Sequence, residues 1–146
     1  MATAVDSANL ILKLYELRRE SVMREARNFF MMSFNPESVE EYMAGMMGPN
    51  SAHIRMVVSY WEMACSFVTS GAIDQELFES SAGEHIMAYG KIEGFLPKLR
   101  ETMGNPTLFQ HLEKVALATP GGIERIRAQM ARIRGMLAAR AAAASN

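Results

Sequence analysis

Residues 59–78 of the chain, SYWEMACSFVTSGAIDQELF, contain the end of one apolar helix, a stop signal and the start of the next helix. Gly71 favours the left-handed backbone conformation that ends helices, and the Asp74 side chain is a good cap for the helix that follows. Residues 51–70 are apolar on nearly every side, which is typical of a helix at the centre of a domain. The stretch therefore predicts a helical bundle built around one buried helix.

The rest of the chain is divided by the same kind of signal. Proline, glycine and asparagine near residues 35, 48, 104 and 120 separate stretches of helical periodicity, and no stretch has the alternation of a strand. The predicted fold is therefore all-α, an irregular bundle of six to seven helices in one domain over residues 1–146, with a frayed end at 139–146. The expected helices cover residues 7–32, 36–47, 51–70, 74–79, 83–103, 106–118 and 122–144. We expect the first, third and fifth at the centre.

Composition and charge exclude several classes of partner. The formal net charge of -1 argues against a chain-wide attraction to nucleic acid or to anionic membranes. The longest apolar region, residues 54–68, contains Arg55 and Glu62 and is shorter than the ~20 residues that a membrane span needs. Cys65 is the only cysteine, and the first residues do not read as a secretion signal. We therefore expect a cytoplasmic protein with no membrane span and no nucleic-acid partner.

Sequence motifs of catalysis and metal binding are missing. None of the three histidines, His53, His85 and His111, follows a glutamate by three residues as in helical di-iron proteins. Zinc-protease, phosphate-loop, dinucleotide and nucleophile-elbow motifs are also missing. Cys65 lies among apolar residues, where a thiol stays protonated and inert. The sequence thus favours a protein that is not an enzyme, with no catalytic residue, metal or cofactor.

Three polar side chains fall on apolar helix surfaces, namely Arg18, Glu62 and His85. A buried charge needs a partner, so we expect Arg18 and Glu62 to meet across a helix–helix contact. Two interpretations stay open. The residues form either an internal salt bridge with a core histidine bonded to a carbonyl, or a polar pocket between helices one, three and five that binds a small ligand or an anion.

Methionine and phenylalanine are concentrated over residues 29–47. The chain has 13 methionines, and such flexible side chains fill gaps in cores or line adaptable surfaces. This segment contains more large apolar residues than one short helix can bury, so we expect part of it to face a protein partner. The predicted interface, of a homodimer or with another protein, consists of Phe30, Met31, Phe34, Met43 and Met47.

Three short motifs resemble a known group of proteins. They are Tyr60-Trp61-Glu62, residues 71–78 (GAIDQELF) and residues 92–100 (IEGFLPKLR). In this order they resemble small, uncharacterised bacterial helical proteins. The resemblance covers roughly residues 10–105. It implies a helical fold without an assigned reaction and transfers no functional residue.

The last predicted helix lies outside this resemblance and is basic on one side. A solvated face is a commoner origin of such a pattern than nucleic-acid binding, which would use Arg125, Arg127, Arg132 and Arg134. The sequence therefore predicts a non-catalytic cytoplasmic helical protein that acts by self-association or by binding a protein partner. The alternative is a small-ligand or anion-binding protein with its site at Arg18, Glu62 and His85.

Overall fold

The computed structural model describes residues 2–146 of the chain. Within this range there are nine α-helices, one short 3-10 helix and no strand. The α-helices are α1 (Ala4–Arg18), α2 (Ser21–Met32), α3 (Val39–Met46), α4 (Ser51–Thr69), α5 (Gln75–Ser81), α6 (Glu84–Gly90), α7 (Leu96–Met103), α8 (Gln110–Ala118) and α9 (Gly122–Ala144). The all-α class is confirmed, whereas six to seven helices is too low a number, because two of the predicted helices are interrupted.

The first interruption lies between α1 and α2, which were predicted as one helix over residues 7–32. Glu20 leaves the helical conformation (φ -59°, ψ 139°). Its carboxylate accepts hydrogen bonds from the backbone N–H groups of Val22 (3.1 Å) and Met23 (2.9 Å) and so caps α2. The apolar stripe predicted along a continuous helix is therefore broken, and its members Tyr15 and Val22 are exposed.

The second interruption divides the helix predicted over residues 83–103. After α6 the chain forms a 3-10 turn at Glu93–Phe95, and α7 begins directly behind it. Pro97 lies in the first turn of α7, where its missing N–H group leaves no hydrogen bond unmade. Pro97 therefore starts a helix and does not kink one.

Several helix ends also differ from their predicted positions. Thr3 caps α1 reciprocally with Asp6, and Ser38 caps α3 by accepting a hydrogen bond from the backbone of Glu41 (3.2 Å). The start of α8 is delayed by a turn that ends at Phe109, whose φ of 58° is left-handed. The last helix, α9, by contrast covers Gly122–Ala144, the range predicted for it.

The central helix is α4, as predicted, and it packs against α2, α3, α6 and α8. α9 covers the side formed by α6 and α8. Its close approach depends on Gly90, because a Cβ atom at that position would lie 2.5 Å from Met130 Cγ. Gly83 and Gly94, which flank Gly90 in the chain, have no such neighbour within 4 Å in the described residues. No helix of residues 2–146 is both long enough and apolar enough to cross a membrane.

Candidate functional site

Glu62 lies at the start of α8, away from the other two predicted site residues. Its carboxylate oxygens accept hydrogen bonds from the backbone N–H groups of His111 (3.1 Å) and Leu112 (2.8 Å). A negative charge is favourable there because the first N–H groups of a helix are otherwise unpaired. The predicted contact with Arg18 is absent from the described residues, since α4 turns Glu62 towards α8 and Trp61 towards α1.

Arg18 and His85 lie near Trp61. The Arg18 guanidinium is 5.3 Å from the ring centre of Tyr15 and 5.4 Å from that of Trp61, within the range of cation–π attraction. The His85 ring is fully buried, 4.9 Å from the ring of Phe78. Neither of its nitrogens has a hydrogen-bond partner within residues 2–146, so the predicted bond to a carbonyl is absent. Burial, helped by the Arg18 charge, lowers the pKa of His85 to about 4.

The charged group at the centre of this region is Glu84, which the sequence reasoning did not identify. Glu84 accepts hydrogen bonds from Arg27 Nε (3.0 Å), Arg27 Nη2 (2.7 Å) and Trp61 Nε1 (3.2 Å). Arg27 Nη1 also donates to the carbonyl oxygen of Arg18 at the end of α1 (3.2 Å). We call Arg27, Trp61 and Glu84 the Glu84 cluster, and it connects α1, α2, α4 and α6.

The cavity beside this region is small. It is lined by Arg18, Trp61 and Phe78 among others and has a volume of about 10 Å³. This is close to the minimum of about 10–15 Å³ that one water molecule requires. Between Arg18, Trp61 and Phe78 there is therefore no room for an organic ligand, whereas Arg27 and Glu84 also line an open groove of about 590 Å³ along α2.

The five residues of the predicted partner interface are not brought together on one surface. Phe30 and Phe34 are buried, with ring centres 5.5 Å apart, and the Phe34 ring packs against Tyr42 of α3, whose ring centre is 5.9 Å away. Met31 and Met43 are partly buried against that core. Met47 is 84% exposed. The surplus of apolar residues is therefore mostly interior.

Lys91 is a buried charge that the sequence reasoning also missed. Its Nζ donates hydrogen bonds to the carbonyl oxygens of Met31 (3.3 Å) and Phe34 (2.9 Å) and to Asn35 Oδ1 (2.7 Å). Burial, followed by the charge of Arg134, lowers the pKa of Lys91 to about 8. Its three acceptors lie at the end of α2, where a cation is favourable, so Lys91 is a cap of that helix.

The outward side of α4 forms a continuous stripe, and the start of α8 covers part of it at Glu62. Its members are separated by three or four residues, as one face of a helix requires. We call it the outer α4 face, and it consists of Ala52, Arg55, Met56, Ser59, Glu62, Met63 and Ser66.

Two open grooves run along the two sides of this face. The larger, of about 810 Å³, lies between α4 and the turn that contains Leu108 and Phe109. The smaller, of about 570 Å³, has its far wall at Leu17 and Met23. Met56, Ser59 and Met63 line both grooves. The outer α4 face is therefore a ridge of small and flexible side chains between two depressions.

The outer α4 face also carries two charges of opposite sign that have no ionic partner among residues 2–146. Arg55 is exposed, and Glu62 is half-buried. Ser59, between them, donates its hydroxyl hydrogen to the carbonyl oxygen of Arg55 in its own helix (2.5 Å). The chemistry of this surface is that of a contact area, with two methionines, small residues, an exposed Arg55 and a Glu62 whose carboxylate is bonded to the backbone of α8 but to no cation.

The remaining reactive groups do not form a site. Cys65 is buried, and burial raises the pKa of its thiol, as expected for an inert cysteine. In the part of the chain that the structure describes, no three His, Cys, Asp or Glu side chains are grouped so that they could bind a metal. On α9, Arg127 pairs with Glu93 (3.0 Å) and Arg125 donates to the carbonyl oxygen of Pro120 (3.0 Å).

Comparison with known proteins gives a family. No curated protein matches the chain, and no solved structure matches it. A protein family does match, over residues 3–119. That range contains α1 to α8 and ends before α9, which agrees with the prediction that the last helix lies outside the resemblance. The chain belongs to the family described as a domain of unknown function (DUF4760).

Proposed function

We propose that the protein has no catalytic role and acts by self-association through the outer α4 face. One observation carries the proposal: the central helix of the fold leaves a continuous ridge of small and methionine residues uncovered between two grooves. A helix at the centre of a bundle normally has its apolar sides covered. On this face Met63 is 39% exposed and Met56 is partly buried against the core, and flexible methionines of this kind suit a surface that a partner covers.

The shape and composition of the surface favour a protein partner over a small molecule. Small-molecule sites are concave and enclose most of the ligand, whereas both grooves here are open along the helix. Protein interfaces are enriched in methionine and arginine, and the outer α4 face has two methionines and one arginine, although its alanine, serine and glutamate residues are of types that are rarer at interfaces. Two groups that could serve catalysis, the His85 ring and the Cys65 thiol, are fully buried.

A second copy of the chain fits the charges of this surface. Arg55 and Glu62 lie on the same face, and each is left without an ionic partner among the described residues. A second copy supplies both complementary charges at once. The small side chains of Ala52, Ser59 and Ser66 allow helix axes to approach to about 8–10 Å.

We place this homodimer in a bacterial cytoplasm. Two observations support the placement, namely the resemblance of the chain to small bacterial proteins and its single, buried cysteine. A protein that relies on no disulfide is suited to a reducing compartment.

The alternative function is the binding of a small ligand or anion near Arg18 and His85. It has one observation in its favour, the two unpartnered ring nitrogens of His85. A ligand larger than water would have to separate α1 from α5, because the cavity there has about 10 Å³. Native mass spectrometry distinguishes the two functions, since a retained ligand adds mass to the folded protein and a homodimer doubles its mass.

The test of self-association is the mass of the protein as a function of concentration, measured by analytical ultracentrifugation. The wild-type protein is expected to be a dimer. Met63→Lys places a charge in the middle of the surface and is expected to give a monomer. The matched control is Met136→Lys on α9, which is 68% exposed and far from α4 in sequence, and it should remain dimeric. A wild-type protein that is monomeric at every concentration would overturn the proposal.

A further inference from the structure

The outer α4 face has nearly the same pattern when it is read in both directions from Ser59. Ala52 is seven residues before Ser59 and Ser66 is seven after it, and both are small. Met56 is three residues before it and Met63 is four after it. A helix with this pattern matches a reversed copy of itself.

The two charges obey the same symmetry with opposite signs. Arg55 is four residues before Ser59, and Glu62 is three residues after it. A reversed copy therefore places its glutamate beside the arginine of the first copy and its arginine beside the glutamate of the first copy. Charges arranged in this way favour antiparallel packing of the two helices over parallel packing.

We infer that two copies of the chain pack α4 against α4 in antiparallel orientation, with the two-fold axis at Ser59. This inference rests on the proposed self-association and adds its geometry and its specificity-determining pair. Residues equally distant from the axis lie at the same height, so Ala52 meets Ser66 of the partner subunit. Arg55 lies within one turn of Glu62 of the partner subunit, and two-fold symmetry forms this pair twice.

A parallel pair would have the opposite charge pattern. Arg55 would then lie beside its own copy, and Glu62 beside its own copy, which is unfavourable at both positions. The antiparallel pair is also compatible with the role of Glu62 as a cap of α8. Each of its oxygens accepts one hydrogen bond from α8, and a carboxylate has about four acceptor positions, so the fork of an arginine can use the rest.

At the centre of the proposed α4–α4 contact, no water molecule is needed to pair the Ser59 hydroxyl. The Ser59 hydroxyl already donates to the carbonyl oxygen of Arg55 in its own helix, so covering it leaves no donor unpaired. The methionines beside it, Met56 and Met63, can fill the grooves of the partner because their side chains are flexible.

Cysteine cross-linking tests the orientation directly. The only native cysteine, Cys65, is buried and gives little background. Ser59→Cys should form a disulfide-linked dimer on mild oxidation, because the two thiols lie at the axis. Ser66→Cys should not, because an antiparallel pair separates these thiols by 14 residues of helix, or about 21 Å. A mixture of Ala52→Cys and Ser66→Cys proteins should again cross-link.

The outcomes separate the geometry from the association itself. If Ser59→Cys cross-links with itself and Ser66→Cys also cross-links with itself, the two helices are parallel and the inference is overturned. No cross-linking by variants that ultracentrifugation still finds dimeric would also overturn it and leave self-association standing. Monomeric variants together with a monomeric wild type would overturn both.

The charge pair has a test of its own. Arg55→Glu places like charges together at two symmetric positions and should raise the dimer dissociation constant about tenfold or more. Arg132→Glu on α9 changes the net charge equally and should leave the dissociation constant unchanged. Equal effects of the two variants would contradict the pairing of Arg55 with Glu62 of the partner subunit.

Discussion

The inward and outward faces of α4 differ in how their polar groups are paired. On the inward face, Trp61 donates to Glu84, and the Tyr60 hydroxyl donates to the carbonyl oxygen of Leu14 (2.5 Å). On the outward face, Arg55 and Glu62 lack ionic partners in the described chain, and Met63 is 39% exposed. One helix thus combines a surface completed by its own chain with a surface that a second chain can complete.

This difference determines what a substitution on each face should change. Loss of a contact on the inward face lowers the free energy of unfolding of each molecule at any protein concentration. Loss of a contact on the outward face lowers only the stabilisation that comes from association, which depends on protein concentration. Unfolding measured in dilute solution therefore distinguishes the two faces.

The largest effect is expected from Glu84→Ala on the inward side. It leaves the Arg27 guanidinium and the Trp61 N–H group without their acceptor, and an unpaired buried charge is costly. Because the two charged side chains are still 27% and 15% exposed, we expect a loss of about 2–4 kcal/mol in the free energy of unfolding. Urea denaturation in dilute solution measures it.

The matched control is Glu101→Ala, which removes a glutamate from an exposed ion pair with Lys98. The side chains of that pair are 63% and 73% exposed, so the expected change lies within about 0.5 kcal/mol. Equal losses in the two variants would mean that the Glu84 cluster contributes no more to stability than a surface pair.

A second effect on the inward side, of similar size, is expected from acid and depends on His85. The pKa of His85 is lowered to about 4 in the folded protein, from an ordinary value of 6.5. As the pH falls through this window, the unfolded chain takes up the proton first, so stability is complete above the window and is lost towards pH 4. The loss reaches about 3 kcal/mol for a difference of this size.

His85→Phe should remove this part of the pH dependence, because phenylalanine fits among the rings of Trp61 and Phe78 without an ionisable group. Urea denaturation of both proteins at several pH values measures the slope. If the slope is the same in His85→Phe, groups other than His85 cause the loss of stability in acid.

The sequence predicted the inward face of α4 better than the features around it. Continuous apolar residues and the signals at Gly71 and Asp74 identified α4 and α5, because these signals are local. The interruption at Glu20 was missed, because glutamate is a common residue inside helices and only the folded geometry shows it capping α2. The Phe34 ring was assigned to a surface because its burial depends on how α3 packs against α4, which is not a local property of the sequence.

The hydrogen bonds of Arg27 and Trp61 to Glu84 could not be predicted from the sequence for a related reason. Arg27 and Glu84 are 57 residues apart in the chain, and either one reads as an ordinary surface charge. A buried tryptophan N–H needs an acceptor, which was the only signal that an acidic residue would be found beside Trp61. The outer α4 face was not predicted, because its methionines are part of the apolar sequence that identified the helix and were therefore interpreted as core residues.

The smallest effect on stability, and the sharpest contrast between the two faces, is expected from two cysteines on the same helix. In the wild-type protein the buried Cys65 thiol, whose pKa burial raises, should not react with a thiol reagent until urea unfolds the chain. In reduced Ser59→Cys, an exposed substitution that should change stability by less than about 0.5 kcal/mol, the added thiol should react at once in dilute solution. Because a second copy covers position 59, that reaction should slow as the protein concentration rises, while Cys65 stays unreactive throughout. A rate at position 59 that does not change with concentration would mean that the outward face of α4 stays open to solvent, and the contrast between the faces would then have no role in association.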